Sequence, residues 1–428
     1  MAQARHEGGD APDDLLARLA ALGVVRGVDA LADATPTPRP DVLPIERAVP
    51  GRTVENELGR CYVSDVHKAA SERHGAEVLD DARRVSGWSL ALVGGDPRLQ
   101  ALDVERTAFL DTETTGLGLG AGTYAFLVGI GRFVGRTFQV RQLFMRDPSE
   151  EPAQLAEAAA WMSGCTDLVT FNGRSFDVPL LETRYAMRGI TAPLAEMRHL
   201  DLLPAARRLW SRRLSSCTLV SLEQNILGLE RQDDVPGWLI PNRYFDYQSD
   251  GDARPLVGIF NHNALDILSM VSLLRRMDRV CATPTEVVEH GADWLSLSRL
   301  HEGAGDREWL VAACRAALEH ELSVAEAHEA LVRQSLAAKR AGDWEGATMI
   351  WRDMVAVGGP SSLFAFEELA KYHEHRVEPA QLEQALEQAT HARQLVESGA
   401  LVPRRGRLAA LADLDHRIDR LRRRLDRS

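Results

Sequence analysis

The sequence predicts an α/β domain, a mixed sheet flanked by helices, followed by an all-α domain of helical repeats. Three apolar segments within residues 107–144 are separated by glycine-containing turns, which favours antiparallel strands. Helical apolar periodicity then alternates with a further strand at 168–171. Antiparallel hairpins followed by helices and a parallel strand indicate a single mixed sheet.

The chain divides into four predicted regions. Residues 1–50 are expected to be disordered and proline-rich, with one short helix near 13–23. Residues 51–103 are expected to pack as an extension on the α/β domain, which runs from 104 to 283. Residues 284–428 show only helical patterns.

The helical region contains an internal repeat. Ala304-Gly305-Asp306 recurs 37 residues later as Ala341-Gly342-Asp343. This period predicts helix-hairpin repeats that resemble tetratricopeptide repeats, which usually bind a protein partner or guide a substrate. The alternative is that the repeats only cap the α/β domain. An amphipathic C-terminal helix with a basic outer face is expected to close the array.

Two acidic residues end the first buried strand. Asp111 and Glu113 follow the apolar run Thr107-Ala108-Phe109-Leu110. Side chains alternate along a strand, so both carboxylates share one face and Thr112 points to the other. Two buried acids repel each other unless a cation is present, and hard divalent ions such as Mg²⁺ or Mn²⁺ suit them. The alternative is a solvated strand end followed by a turn.

Three later residues extend this acidic set. Asp177 is predicted in the first turn of a helix capped by Ser175, where it serves either as a site residue or as a capping aid. His262 and Asp266 lie four residues apart on a later helix and therefore on one face. The alternative role of His262 is a helix-start histidine that contacts the backbone.

The acidic motifs follow the order of a known nuclease set: Asp111 and Glu113, then Asn172 with Phe176-Asp177, then His262 with Asp266. This ordered set resembles the DEDD superfamily of 3′→5′ exonucleases, which has the ribonuclease H-like fold. The spacing His-x3-Asp departs from the His-x4-Asp of the histidine branch. With landmarks such as Asp234-Val-Pro-Gly-Trp238, residues 50–275 resemble the YprB-like family, also called mitomycin repair factor B.

The resemblance implies a 3′→5′ exonuclease that hydrolyses DNA in repair, with a helicase as partner. Two divalent cations, Mg²⁺ or Mn²⁺, are expected to be held by Asp111, Glu113, Asp177 and Asp266. A neutral His262 can take a proton from the attacking water. RNA trimming remains an alternative, because no residue reports on a 2′-hydroxyl. A repeat-type scaffold with a vestigial nuclease domain is the alternative from another class.

Candidate substrate-binding residues surround this set: Thr112, Asn172, Arg174, His199 and Asp201. Arg174 lies in the loop before Asp177 and is expected to contact a phosphate. His199 and Asp201 alternate with leucine on a short strand, and either position the substrate or form an internal ion pair. The arginines within 198–213 surround Trp210, which is either a base-stacking platform or a core residue.

Composition bounds the function classes. A net charge of −12 argues against a protein that coats nucleic acid, but allows an enzyme that meets DNA, or less favourably RNA, along a local groove. Five scattered cysteines without a C-x-x-C pair indicate a reducing compartment and no zinc site. No apolar stretch of membrane-spanning length is predicted, so a cytoplasmic protein without membrane contact is expected.

Overall fold

The computed structural model describes residues 42–116, 118, 122–232, 234–359, 362–376, 381–403 and 406–427. The predicted helix near 13–23 lies outside these residues. Residues 42–50 were predicted to belong to a disordered segment and are ordered instead. They contain helix α1 (Ile45–Ala48), and Ile45 and Val49 are buried in an apolar cluster with Tyr62.

The main sheet has seven strands in the order β1-β2-β7-β6-β5-β8-β9. Their bounds are β1 Arg52–Asn56, β2 Gly59–Ala69, β5 Thr107–Thr114, β6 Ala125–Val134, β7 Thr137–Phe144, β8 Asp167–Thr170 and β9 Arg198–Asp201, with a separate pair β3 Arg73–His74 and β4 Glu77–Val78. The pairs from β1 to β5 are antiparallel, whereas β5–β8 and β8–β9 are parallel. The predicted mixed sheet is confirmed, and β5 lies at its antiparallel-to-parallel junction.

Helices cover both faces of this sheet: α2 Gly87–Gly94, α3 Glu151–Trp161, α4 Asp177–Arg188, α5 Leu202–Trp210, α6 Leu219–Leu222, α7 Ile240–Asp250, α8 Leu256–Ala282 and α9 Pro284–Val287. One apolar cluster joins one face to α2, α5 and α8. A second cluster joins the opposite face to α3 and α4. The C-terminal end of β5 is therefore enclosed between α8 on one side and α4 on the other.

Helix α8 has the length and composition of a membrane-crossing helix, so the prediction that no stretch reaches this length was wrong. It has 27 residues, yet 67% of its most apolar window is buried inside the protein. Ile267, Val271 and Leu274 pack in the cluster on the sheet. A buried core helix meets the same criteria of length and hydropathy.

The remaining helices form successive hairpins: α10 Gly291–Ala304, α11 Arg307–Leu318, α12 Val324–Ala341, α13 Trp344–Val357, α14 Ser362–His375, α15 Leu382–Ser398 and α16 Arg407–Leu425. The 37-residue repeat has a structural basis. Gly305 and Gly342 end α10 and α12 with φ of 75° and 80°, which glycine adopts without strain. Asp306 and Asp343 then cap the following helices with their side chains.

The first repeat helices share a core with the sheet domain. Apolar residues of α10, α11 and α12 belong to the same cluster as those on α5 and α8. Arg212 binds Glu329 at 2.8 Å and Arg213 binds Asp293 at 3.0 Å. Trp210 is buried among them, so its interpretation as a core residue is confirmed. These arginines join parts of the protein together.

Candidate active site

The two faces of β5 present different groups. Asp111 meets α8, where Asn263 Nδ2 donates to its Oδ2 at 2.8 Å. Thr112 points to the other side, where its Oγ1 donates to Asp177 Oδ1 at 2.5 Å. Asp177 is the first residue of α4. The strand alternation therefore places Asp111 and Asp177 on opposite sides of the same strand end.

Close approach of α8 to the sheet fixes Asn263. A Cβ at Gly129, which pairs with Asp111 in β6, would lie 2.1 Å from Asn263 Oδ1. Gln142 Nε2 donates to that oxygen at 2.9 Å and to Phe260 O at 2.7 Å. The amide of Asn263 is thus oriented so that its nitrogen faces Asp111. Sequence reasoning missed this role, although Asn263 is adjacent to His262.

Helix α8 begins at Leu256, which is earlier than the sequence indicated. His262 therefore lies inside the helix, and its interpretation as a helix-start residue was wrong. Its Nε2 is 3.7 Å from Asp266 Oδ2, on the same helix face. Its Nδ1 is 2.7 Å from Asp234 Oδ1. Arg231 Nη1 lies 3.3 Å from the same nitrogen, but the shorter contact is to a carboxylate, which only accepts. This favours a proton on Nδ1 and leaves Nε2 as the basic nitrogen of the neutral ring.

Sequence reasoning also missed Arg231, a buried cation at this site. Its Nη2 donates to Asp266 Oδ1 at 2.5 Å, and its Nη1 donates to Asp234 Oδ2 at 3.1 Å. Nε and Nη2 bind the two oxygens of Glu223 at 2.6 and 2.7 Å. The guanidinium side chain is only 7% exposed. One guanidinium therefore fixes three carboxylates through charge-assisted hydrogen bonds.

This network continues away from the site. Ser269 Oγ donates to Glu223 Oε1 at 2.5 Å and contacts His74 Nε2 at 2.9 Å. Burial lowers the pKa of His74, which favours the neutral ring. Glu223 begins a π-helical segment that follows α6. The small hairpin β3–β4 is thus linked to Asp266 through Ser269, Glu223 and Arg231.

The carboxylates gathered here carry an electrostatic cost. Burial, followed by repulsion from Asp266, Glu113 and Asp177, raises the pKa of Asp111 well above its usual range. Burial raises the pKa of Glu113 to about 8 and that of Asp177 to about 6. Burial also raises the pKa of Asp266, although His262 and Arg231 oppose the shift. Such a site favours a bound cation.

His262 responds to the same field. Burial lowers the pKa of its ring, but the carboxylates of Asp266 and Glu113 and the hydrogen bond to Asp234 outweigh burial and raise it overall. The carboxyl of Asp234 shows the complementary change: burial opposes ionisation, but His262 and Arg231 lower its pKa. The pair is therefore held together electrostatically as well as by geometry.

A second group forms at the neighbouring strand ends. Asp201 accepts from the backbone N–H of Asn172 at 2.8 Å and of Arg174 at 3.1 Å, and caps α5 at Leu203. Asn172 has φ of 66°, a conformation that asparagine tolerates better than most residues. The side chain of Asp201 thus holds the loop that leads to Asp177.

The other predicted substrate residues serve this loop as well. His199 Nε2 contacts Thr170 Oγ1 at 2.8 Å, and burial lowers the pKa of its ring to about 4. A neutral His199 forms no ion pair with Asp201, so that interpretation was wrong. Arg174 Nη2 donates to His199 O at 2.6 Å. Ser175 does not cap α4, because Phe176 occupies the N-cap without a side-chain bond.

The donor set fits hard divalent cations by chemistry, since it consists of buried carboxylate oxygens. Within the described residues, no group of three or more histidine, cysteine, aspartate or glutamate side chains is arranged to hold a metal. Three of the carboxylates are held by separate partners: Asp111 by Asn263, Asp177 by Thr112 and Asp266 by Arg231. Each of these bonds uses one oxygen of its carboxylate, so oxygen lone pairs remain that could bind a cation.

Comparisons with known proteins agree with this architecture. Residues 108–278 match the RNase_H superfamily. This range contains the four acids Asp111, Glu113, Asp177 and Asp266 as well as His262. The chain is 29% identical over 319 residues to the uncharacterized protein YprB of Bacillus subtilis (strain 168), covering 74% of this chain and 76% of YprB. RNase H-like nucleases generally use divalent metal ions. The chain is therefore similar to YprB over 74% of its length, and it contains an RNase H-like domain.

Proposed function

We propose that this protein is a metal-dependent 3′→5′ exonuclease that hydrolyses DNA, in a repair role. The observation that carries the proposal is the meeting of Asp111, Glu113, Asp177 and Asp266 with His262 around the end of β5. Their mutual electrostatic effects require proximity. The choice of DNA, the polarity and the repair role are supported by the resemblance to YprB-like DEDD exonucleases.

The four carboxylates would hold two Mg²⁺ or Mn²⁺ ions. Bound cations supply an activated water and stabilise negative charge on the phosphate and the leaving oxygen. Asp111, Glu113 and Asp266 approach from the α8 side, and Asp177 approaches from the α4 side. Both sides of β5 would thereby contribute carboxylates that hold the cations.

His262 takes the proton of the attacking water at Nε2. Asp234 accepts the Nδ1 proton and so selects the tautomer whose free lone pair is on Nε2. Arg231 binds both Asp234 and Asp266 and thereby sets the spacing between the base and a metal ligand. Arg231 and Asp234 are positioning residues in this scheme, because they act through His262 and Asp266.

The test uses end-labelled single-stranded and duplex DNA and RNA with the full chain, in Mg²⁺, Mn²⁺ or EDTA. The wild-type protein should shorten 3′ ends of DNA only when metal is present. Asp111→Asn should abolish shortening, because it removes a carboxylate that would hold the cations. Asp246→Asn is a matched control, because Asp246 is an exposed aspartate on α7.

Each alternative has a distinct signature in this assay. Shortening of RNA but not DNA would identify an RNA-trimming enzyme. Loss of label from the 5′ end would overturn the polarity. A folded wild-type protein that cleaves no substrate in either metal, and is indistinguishable from Asp111→Asn, would refute the nuclease proposal and favour the scaffold.

A further inference from the structure

The repeat region contains a basic and aromatic cavity. It has a volume of about 370 Å³ and is lined by five cationic side chains and one carboxylate. The cations are Lys339, Lys371, Arg376, Arg417 and Arg420. Lys339 lies on α12, Lys371 on α14, Arg376 directly after α14, and Arg417 and Arg420 on α16. The cavity is thus formed by every second helix of this part of the array. Stacked repeats present binding surfaces in this way.

Two buried glutamates fix the cations in place. Glu368 binds Lys339 and also Lys371, the latter at 2.6 Å. Glu374 binds Arg420 at 2.7 Å, Arg424 at 2.9 Å and Arg417 at 3.4 Å, and its side chain is 1% exposed. Part of the predicted basic outer face of the C-terminal helix therefore turns inward.

The cations outnumber the acids that hold them. Six positive side chains meet two carboxylates, in a chain whose net charge is −12. An ion-pair network that served only to join helices would need no such surplus. Arg376 adds to it without an ion pair among the described residues, since its guanidinium lies 4.6 Å from the centre of the Trp344 ring.

Aromatic rings distinguish the ligand class. Trp344 and Tyr372 lie with ring centres 6.0 Å apart and an interplanar angle of 29°. Aromatic rings together with arginine provide stacking surfaces for unpaired bases. Two of the arginines within 198–213, by contrast, are paired with acids of the repeats: Arg212 binds Glu329 and Arg213 binds Asp293.

We infer that this cavity binds single-stranded nucleic acid, with its cations on phosphates and Trp344 and Tyr372 against bases. The inference rests on the proposed nuclease function. In that function, the cavity would bind a part of the substrate strand that lies outside the catalytic domain. Release of counterions from each contacted phosphate makes such binding strongly dependent on salt.

The test compares two double variants with equal charge change, both in the Asp111→Asn background. Lys371→Gln with Arg376→Gln alters the cavity. Arg315→Gln with Arg352→Gln is the control, because both arginines are exposed on other repeat helices. Fluorescence anisotropy of labelled single-stranded DNA is measured over a salt series, and melting curves establish that each variant folds.

The cavity variant should bind the long strand about tenfold more weakly, and its log–log salt slope should fall by about 1.4, or ~0.7 for each lost phosphate contact. The control should match the parent. In the active background, cleavage of a dinucleotide should be unchanged by either pair. The inference is overturned if the cavity variant binds single-stranded DNA as tightly as the control does. Poly-glutamate serves as a second ligand, and a cavity variant that loses binding to poly-glutamate but keeps binding to DNA would also overturn the inference. Absence of cleavage with intact cavity binding would refute only the nuclease function.

Discussion

Asp111→Asn should raise the stability of the metal-free protein while it abolishes catalysis. The side chain of Asp111 lowers the free energy of unfolding in either protonation state. When it is ionised, it is a buried charge beside other acids. When it is protonated, it has taken up a proton at a pH where a free carboxyl would be ionised. The scale of this cost follows from Glu113, whose pKa rises from 4.5 to about 8. At about 1.4 kcal/mol per pKa unit, that shift represents on the order of 5 kcal/mol.

Only part of this cost is relieved, because burial causes the largest share of the shifts and the substitution leaves three acids. We therefore expect Asp111→Asn to stabilise the protein by about 1 to 3 kcal/mol at pH 8 in EDTA. Asparagine also keeps an oxygen that can accept from Asn263 Nδ2. Saturating Mg²⁺ should reverse the order, since a ligand at 1,000 times its Kd adds about 4.1 kcal/mol to the wild-type protein alone.

Thermal melting at pH 8, with EDTA or Mg²⁺, checks this reversal without any nucleic acid. Asp246→Asn should melt like the wild type in both conditions. The reasoning is refuted if Asp111→Asn melts below the wild type in EDTA, or if it gains as much from Mg²⁺ as the wild type does.

Other perturbations test separate parts of the structure. Arg231→Lys should lower kcat at least about tenfold with little change in KM, as measured by steady-state kinetics. The reason is that a lysine ammonium cannot hold Glu223, Asp234 and Asp266 in place at the same time. Burial lowers the pKa of His199 to about 4, so below pH 6.5 the folded protein binds fewer protons at this ring than the unfolded chain does. About 2 to 3 kcal/mol of stability, fully present above pH 6.5, should therefore be lost as the pH falls towards 4. His199→Gln should flatten this dependence in melting curves measured at a series of pH values. Deletion of 284–428 should cause aggregation, because α10 to α12 share the core of the sheet domain, whereas deletion of 343–428 should leave a cooperative melt by calorimetry.

Local patterns were enough to predict much of the sheet. The last of the three apolar segments predicted within residues 107–144 is strand β7, because alternation and a glycine turn define it locally. The acidic set was also accessible, since Asp111, Glu113, Asp177 and Asp266 lie at strand ends or on helix faces that periodicity identifies. That these residues lie close together in the fold was predicted from the order of their motifs, which resembles that of the DEDD exonucleases.

The missed features depend on contacts between distant segments. Arg231 lies outside helices and strands and has no periodic partner in sequence, so only the folded structure shows that it meets Asp266. Helix α8 starts six residues before His262 because the apolar Leu256 and Ile259 pack in a cluster with Tyr244. Residues 42–50 are ordered for a similar reason: Ile45 and Val49 bury against residues far along the chain.

The residues before the nuclease-family match also contribute to the candidate active site. Strand β2 pairs along β7 from Tyr62–Phe144 to Ala69–Thr137, so it covers an edge that would otherwise expose unpaired backbone groups. His74 then reaches Glu223 through Ser269. Because Glu223 is buried, it needs the charge of Arg231, and Arg231 in turn holds Asp266. The position of a proposed metal ligand therefore depends on an uninterrupted chain of buried polar contacts that begins at the β3–β4 hairpin.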